Sequence, residues 1–390
     1  MNVLKKQPSI LIIIALIGFP QLSESIFTPI LPALSQGMSV TESTIQLMMS
    51  TYFFAFAFGV LYFGPLSDRI GRKKAMAIGL SIYLMGNLGL LLAPGFHWLL
   101  GARIIQAFGA ASGSVITQTI MREAFVGEKR ARIFAQVGAA LALAPALGPL
   151  LGGLFQMIYG YHSVFSALIA MAVALLFYVA TTLPETRLIN NDKQGQNWLM
   201  VTKRLLSSPK VWSYGLLISG VNGILFSYYA EAPFIFIDHF KMTPVAYGWT
   251  GLLIAVASLT GSLVTNRLIG RFSGAYLMML GLIVALLGAI TMGLGATNVW
   301  VLFGAILVTF TGLNILLPIV LSNALLGFED VIGTASGLFS FWYYLLISLL
   351  TFLMSLMHNG SIYILPIYIL MVLSGMVFSF LVIWKTENHK

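Results

Sequence analysis

Cysteine is absent from this 390-residue chain, which excludes a disulfide frame and any thiolate metal site. Charge is almost as scarce: Asp, Glu, Lys and Arg supply 8% of the residues, against about 25% in ordinary soluble domains. Too few charges remain to clothe a water-facing surface, so a soluble fold is excluded. There is also no Walker A sequence, nucleophile constellation or His/Asp/Glu metal cluster in the chain. Neither an enzyme, nor a cofactor, nor ATP hydrolysis by this chain is expected.

What is present is apolar sequence, 58% of the chain. A helix that spans a bilayer needs roughly 20 mostly apolar residues, and twelve such stretches occur. They run at about 10–34, 43–66, 74–94, 97–119, 132–156, 161–183, 211–238, 243–265, 275–296, 299–325, 332–357 and 361–384. Backbone groups in hydrocarbon must pair within the segment or in a closed barrel. The runs are continuous instead of alternating, which selects helices. The first run follows Lys5 and Lys6 but is too long for a signal-peptide core, so it is expected to be the first span.

The net charge of +9 is an orientation signal, not a nucleic-acid footprint. Of 21 Lys and Arg residues, 19 fall at the N-terminus, the C-terminus or the loops on one side. Lys241 lies on the other side and Arg103 within a span. The positive-inside rule then places both termini in the cytoplasm. His97, His162, His239 and His358 fall at outer helix ends, where interfacial anchoring is expected in preference to metal binding.

A polar segment, Arg187 to Lys210, interrupts the rhythm of short loops and divides the chain into residues 1–186, a linker at 187–210 and residues 211–390. The 6 + 6 arrangement is typical of transporters built from two related halves. The turn after the second stretch, Gly64-Pro-Leu-Ser-Asp68-Arg69-Ile-Gly71-Arg72-Lys73, is echoed by Asn266-Arg267-Leu-Ile-Gly270-Arg271 after the eighth. Gly64 and Gly71 permit a tight turn and close approach. Asp68 can pair with a basic residue or face a helix N-terminus, a contact suited to holding the halves together on the cytoplasmic side; the basic residues alone would merely orient the loop.

This turn resembles the signature loop of the major facilitator superfamily. In order along the chain, Arg103-Ile-Ile-Gln106-Ala-Phe-Gly109 resembles the family's helix 4 motif, with Ala107 where Gly is usual. Ala144-Pro-Ala-Leu-Gly148-Pro149-Leu-Leu-Gly152-Gly153 resembles the helix 5 antiporter motif, with Ala for its first Gly, and Leu183-Pro-Glu-Thr186 the end of helix 6 in drug:proton antiporters. Ala232-Pro-Phe, Tyr247-Gly248 and Gly333-Thr-Ala-Ser-Gly337 resemble the bicyclomycin-resistance (Bcr/CflA) branch. The resemblance implies an all-α membrane fold of twelve helices in two pseudo-symmetric six-helix bundles. It also implies that Arg103 is tied to proton coupling and that the helix 5 motif controls exchange. Physically, Pro145 and Pro149 bend that helix while Gly148, Gly152 and Gly153 allow intimate packing, which plain helix packing would use equally.

Three ionisable residues sit within the apolar stretches: Glu24, Glu231 and Arg103. Charge in hydrocarbon is expensive, so each is a functional candidate. Glu24 lies about 3 Å from the middle of its helix, with Gln21 and Thr28 on its face, and Pro20, Pro29 and Pro32 should make that helix discontinuous. Burial disfavours a charged carboxylate and a nearby arginine favours it; a carboxylate held between the two can load and release protons, or form a structural ion pair with Arg103. Glu231 is read as a second proton site, a counter-charge for cationic substrates, or an acid hydrated at the outer mouth. Aromatic candidates for a cavity wall are Tyr52, Phe53 and Phe56, Tyr228 and Tyr229, and Trp342, Tyr343 and Tyr344, with Asn222 and Asn314 as polar anchors. Apolar walls carrying a few polar groups suit varied ligands.

The expected function is a drug:proton antiporter of the bacterial inner membrane, a monomer exporting small amphipathic molecules by alternating access. Its partners would be substrate, protons and lipid, without nucleic acid. Glu24, Arg103 and Glu231 would couple protons; Gln21, Glu24, Tyr52, Phe56, Tyr228, Glu231, Asn314 and Tyr343 would bind substrate. Gly64, Asp68, Arg69, Gly71, Arg72, Gly148, Pro149, Gly152 and Gly153 would form the gates. An exporter of one endogenous metabolite, such as a siderophore or amino-acid derivative, is the alternative on the same fold. A non-transporting receptor would need a signalling domain beside the short tails.

Overall fold

Helices account for nearly all of the computed structural model, which describes residues 7–125, 127–187, 198–328 and 331–388. Lys5, Lys6, Lys193, Lys390 and the polar stretch 188–197 lie outside the described residues, as do the side chains of Arg130 and Pro145. The first span is α1 (Ile10–Ser25), a 3-10 turn (Thr28–Ile30) and α2 (Leu31–Gly37). It is discontinuous, as its prolines predict. Pro29 has no N–H to offer the Ser25 carbonyl, and Thr28 Oγ1 donates to that carbonyl instead at 3.0 Å. The break therefore leaves no orphan acceptor at Ser25.

Next come α3 (Glu42–Ile70), α4 (Arg72–Leu91) and α5 (Phe96–Ala124), then a second broken span, α6 (Gly127–Leu141) with α7 (Ala144–Tyr159), and α8 (His162–Thr182). After the linker follow α10 (Pro209–Pro233), α11 (Pro244–Leu268), α12 (Gly274–Leu294), α13 (Val299–Asn323), α14 (Ile332–Met357) and α15 (Ile364–Asn388). Among the described residues, ten segments, counting the joined first span as one, are long and apolar enough to cross a membrane. The broken α6–α7 pair and α10, diluted by Asn222 and Glu231, account for the other two predicted stretches. The architecture is two six-helix bundles. The linker also contains a short helix not foreseen from its polarity, α9 (Trp198–Leu206), which buries Val201 and Leu205, four residues apart, and ties Arg204 to the Gly327 carbonyl at 2.5 Å.

One end of the molecule, the basic face, carries the α3–α4 turn. There Lys73 Nζ donates to the Ala180 carbonyl and Arg187 to the Arg69 carbonyl, both at 2.8 Å. The bundles meet mainly through α3 against α14 and α7 against α11. Toward the opposite face, Ser43 Oγ donates to the Ser355 carbonyl (2.8 Å) and Ser348 Oγ to the Ser50 carbonyl (2.7 Å). Each joins α3 to α14.

The α7–α11 contact depends on missing side chains. A Cβ on Gly153 would enter the Pro244 backbone, and one on Gly248 would enter the backbone of Pro149 and Leu150. Gly148 and Gly152 similarly press α7 onto Ser25 and Ile26, at the break in the first span. The three elements thus form one packed unit across the half opposite the basic face. Gly248→Val should pry α7 from α11 and cost about 1–3 kcal/mol by overpacking, seen as a lower apparent Tm in detergent and greater solvent access at that end.

Candidate functional site

The break after Ser25 leaves Gln21 and Glu24 at the end of α1, where the two bundles face one another. They line a cavity of about 350 Å³ with Tyr52, Phe53 and Phe56 from α3, Asn222 and Phe226 from α10, and Tyr343 and Tyr344 from α14. Walls from both bundles are a requirement for a site that responds to their relative motion. The aromatics form one contiguous set: Phe53 meets Phe226 at 4.2 Å between centroids, and Phe56 meets Tyr344 at 4.8 Å.

Glu24 is 1% exposed, and neither carboxyl oxygen has a hydrogen-bond partner. A buried acid without partners is costly in its charged form. Arg103 does not pair with it among the described ion pairs, so the structural ion pair weighed from the sequence is not formed. Instead, the Arg103 guanidinium lies over the rings of Phe27 (4.0 Å) and Tyr52 (4.4 Å) and donates to Gln106 Oε1 at 2.6 Å. Gln106 Nε2 donates to Asn87 Oδ1 at 2.5 Å, and Asn87 Nδ2 to the Tyr83 carbonyl at 2.9 Å. The Tyr83 hydroxyl then reaches Ser23 Oγ at 2.9 Å. This buried polar chain returns to α1 one residue before Glu24. Tyr52 connects the two regions: its ring separates guanidinium from cavity, and its hydroxyl donates to the Pro20 carbonyl at 3.0 Å.

Not every predicted wall residue reaches the cavity. Tyr228 packs edge-on against Phe310 at 5.4 Å, and Asn314 donates to its own helix at the Phe310 carbonyl while its side chain covers Gly261. Trp342 turns toward Trp212, away from the cavity. Helical rotation explains the split, since residues adjacent in sequence point about 100° apart. Glu231 is neither in the cavity nor hydrated at a mouth. It is 1% exposed and bonded to Gln46 and His358.

The cavity shares Ser114, Gln118, Tyr343 and Tyr344 with a second hollow of about 290 Å³ that runs to the basic face, between Asp68, Arg72 and Glu123 on one side and Thr334 and Gly337 on the other. Arg72 holds this rim. It pairs with Asp68 at 2.7 Å and with both Glu123 oxygens at 2.6 and 3.0 Å, and reaches Ser67 Oγ at 2.6 Å. These named partners of Arg72 all belong to the first bundle and brace the rim from that side. Arg69 contributes its carbonyl to Arg187. Gly64 lines the hollow.

Sequence reasoning missed Glu185, which accepts from the backbone N–H groups of Arg72 (2.9 Å), Lys73 (3.2 Å) and Arg187 (3.0 Å). It neutralises the positive end of α4. Its carboxyl sits where a Cβ on Gly71 would go, and Gly71 has φ +99°, so glycine is required there twice over. Burial pushes the Glu185 pKa up, but the donors from Arg187, Arg72 and Lys73, with the Arg72 charge, outweigh it and leave it below the usual value. Asn87, Tyr83, Gln46 and Glu42 were also missed; isolated polar residues in apolar stretches were the available signal.

Comparison with known proteins agrees with this architecture. The family model described as Major Facilitator Superfamily matches residues 13–351. An uncharacterized transporter of Rickettsia bellii (strain RML369-C) is 31% identical over 375 residues, covering 93% of each chain. Multidrug resistance protein D of Escherichia coli (strain K12) is 25% identical, with 84% of each chain covered. Among solved structures, the partially occluded inward open xylose transporter XylE from E. coli superposes with a TM-score of 0.74 at 15% identity, covering 96% of this chain and 97% of that one.

Glu185→Ala leaves three N–H donors without their acceptor and should cost about 0.5–1 kcal/mol, in the lower part of the range for a lost helix cap because the group is partly screened. Since its folded pKa is depressed, the stabilisation exists above the ordinary glutamate value and disappears as pH falls through the folded one. The Tm gap between native protein and variant should therefore close on acidification.

Proposed function

Because the chain belongs to the Major Facilitator Superfamily, and so is a membrane transporter and not an enzyme, we propose that it is a proton-coupled exporter of small amphipathic compounds. The observation that carries this reading is the Glu24 carboxyl, buried without a partner in a cavity walled by both bundles. Protonated, it is a neutral group compatible with that cavity. Ionised, it needs a compensating cation or donors, which an amphipathic substrate or the Arg103 region can supply. One carboxyl cannot hold the proton and the substrate's charge together, and this competition is the basis of exchange. Arg103 itself does not release a proton under ordinary conditions. It biases Glu24 from behind Tyr52.

The names of relatives, including multidrug resistance protein D and a chloramphenicol resistance protein of Pseudomonas aeruginosa, support efflux as the direction. The resemblance of the quoted motifs to the Bcr/CflA branch supports membership of that branch. Applying the positive-inside rule to the basic face makes that face cytoplasmic, in a bacterial inner membrane with both termini inside. The hollow leading there from the cavity then corresponds to an inward-facing state. Residues 1–186 and 211–390 would rock about the cavity, with the α7 glycines as the bearing and the Arg72 rim as the cytoplasmic gate. A proton moving down the membrane potential supplies about 2.3 kcal/mol per 100 mV, enough to drive outward movement of a monomer's cargo. Protons, substrate and lipid are the only partners this cycle needs.

Reconstituted into proteoliposomes under a pH gradient, the native protein should show proton release coupled to lipophilic cations or neutral amphipathic antibiotics. Glu24→Gln should keep substrate binding and lose coupled flux at least about 100-fold, the scale on which positioned proton-transfer groups act. Equal coupled flux in both proteins would remove Glu24 from the proton path. Response to one metabolite alone would favour a dedicated exporter.

A further inference from the structure

At the outer end, three polar side chains from both bundles converge on one imidazole. His358, which ends α14, places Nδ1 at 2.8 Å from Glu231 Oε2 of α10 and Nε2 at 2.9 Å from Glu42 Oε2 of α3. Gln46, one helical turn beyond Glu42, donates to the same Glu231 oxygen at 2.7 Å and places its Nε2 3.2 Å from His358 Nδ1. The Phe234 ring covers the imidazole at 5.3 Å between centroids. The cluster therefore joins α3 of the first bundle to α10 and α14 of the second. It lies beside the Ser43–Ser355 bond that closes the same face.

The geometry at this ring suits two protons, with a carboxylate oxygen within hydrogen-bond distance of each nitrogen. A neutral imidazole has one N–H, and an imidazolium has two. With a carboxylate oxygen at each nitrogen, only the imidazolium can donate to both. A neutral ring would turn a lone pair toward one carboxylate, leaving either the buried Glu231 or the half-exposed Glu42 without that bond. We infer that His358 is a proton-held latch of the outer gate, which closes with Glu42 and Glu231 when the ring carries both protons and loosens when one is lost. The inference rests on the alternating-access reading proposed above and adds to it a residue that controls the outer gate.

The sign of the pH response follows. Burial lowers the His358 pKa, but bonding to Glu231 and the charges of Glu231 and Glu42 outweigh it, so the latched value lies above that of ordinary histidine. Latch stabilisation is then fully present below the ordinary histidine value, and it fades as external pH rises through the latched value. Two other charges stand near: Asp238, raised by burial and by Glu42, and Lys241, which opposes that shift. Neither is among the groups that shift the ring. External acid would thus favour the inward-facing state, the direction in which an antiporter must return after taking up protons outside.

The absence of native cysteine makes the test direct. Gln36→Cys at the end of α2 and Tyr363→Cys before α15, both exposed and on opposite bundles, would carry spin labels in the full-length protein in lipid nanodiscs. Pulsed electron paramagnetic resonance between about pH 6 and pH 9 brackets the histidine range. The closed-to-open ratio should fall at least about tenfold across that interval, the scale of one charge-assisted hydrogen bond. His358→Gln should flatten the response. Glu42→Gln, altering a half-exposed carboxylate, should fold normally and move the midpoint to lower pH. Glu24→Gln should lose coupled flux yet keep the part of the pH response that His358→Gln removes, which separates failure of the latch from failure of the transport reading. A His358→Gln protein with the native ratio and pH response would overturn the latch, and so would an unmoved midpoint in Glu42→Gln.

Discussion

A carboxyl group withdrawn from water must be matched by a proton, a cation or hydrogen-bond donors, and the structure is arranged around two such groups treated in opposite ways. Glu231 is surrounded by partners, Gln46 and His358, and sits where the bundles are shut. Glu24 has none and sits where they part. In this conformation the paired acid belongs to the closed end and the unpaired acid to the cavity. In the proposed cycle, that asymmetry is what would let a hydrophobic bundle respond to protons and solutes.

Presenting Glu24 in that way requires the first span to stop being a regular helix beside it. Pro29 and Pro32 force the break, Thr28 repairs the vacated carbonyl, and the backbone at Ser25 and Ile26 becomes the surface against which α7 packs. The glycines of α7 then bring α11 of the other bundle to the same point. A local choice of imino acids in α1 is thereby linked to the principal contact between halves. The Arg103–Gln106–Asn87–Tyr83–Ser23 chain fixes α1 from the other side. Little freedom remains except for movement of the bundles as bodies.

The periodicity of apolar runs made the helices legible, because the membrane imposes one length and one backbone solution. Prolines announced the discontinuity at Glu24. Partners were harder to foresee. Nothing in spacing says that Arg72 braces against Glu123, 51 residues on, or that Glu185 reaches the start of α4 from 113 residues beyond Arg72. Side-chain direction was the other gap: Tyr343 lines the cavity and neighbouring Trp342 does not, a distinction set by helix rotation and tertiary packing. His358 illustrates both. Read alone it is a histidine at a helix end, and only the convergence of α3 and α10 gives it two acids.

The proposed cycle requires that the closed end be able to open. The outer closure named here consists of a few polar bonds, Ser43–Ser355, Ser348–Ser50 and the Glu42–His358–Glu231 set, beside glycine-mediated packing. Each such bond contributes about 0.5–1.5 kcal/mol net, and somewhat more where charge is involved. Opening that end would wet these groups, so much of the loss would be recovered from solvent, while closing the Arg72 rim against α14 would bury apolar wall at the other end. Two arrangements balanced in this manner differ by only a few kcal/mol. A change of that size is within reach of one proton at about 2.3 kcal/mol per 100 mV, whereas a bundle sealed by a large apolar interface would be beyond it. The polar bonds at the closed end are therefore the part of the contact between bundles that a proton could switch in the proposed cycle.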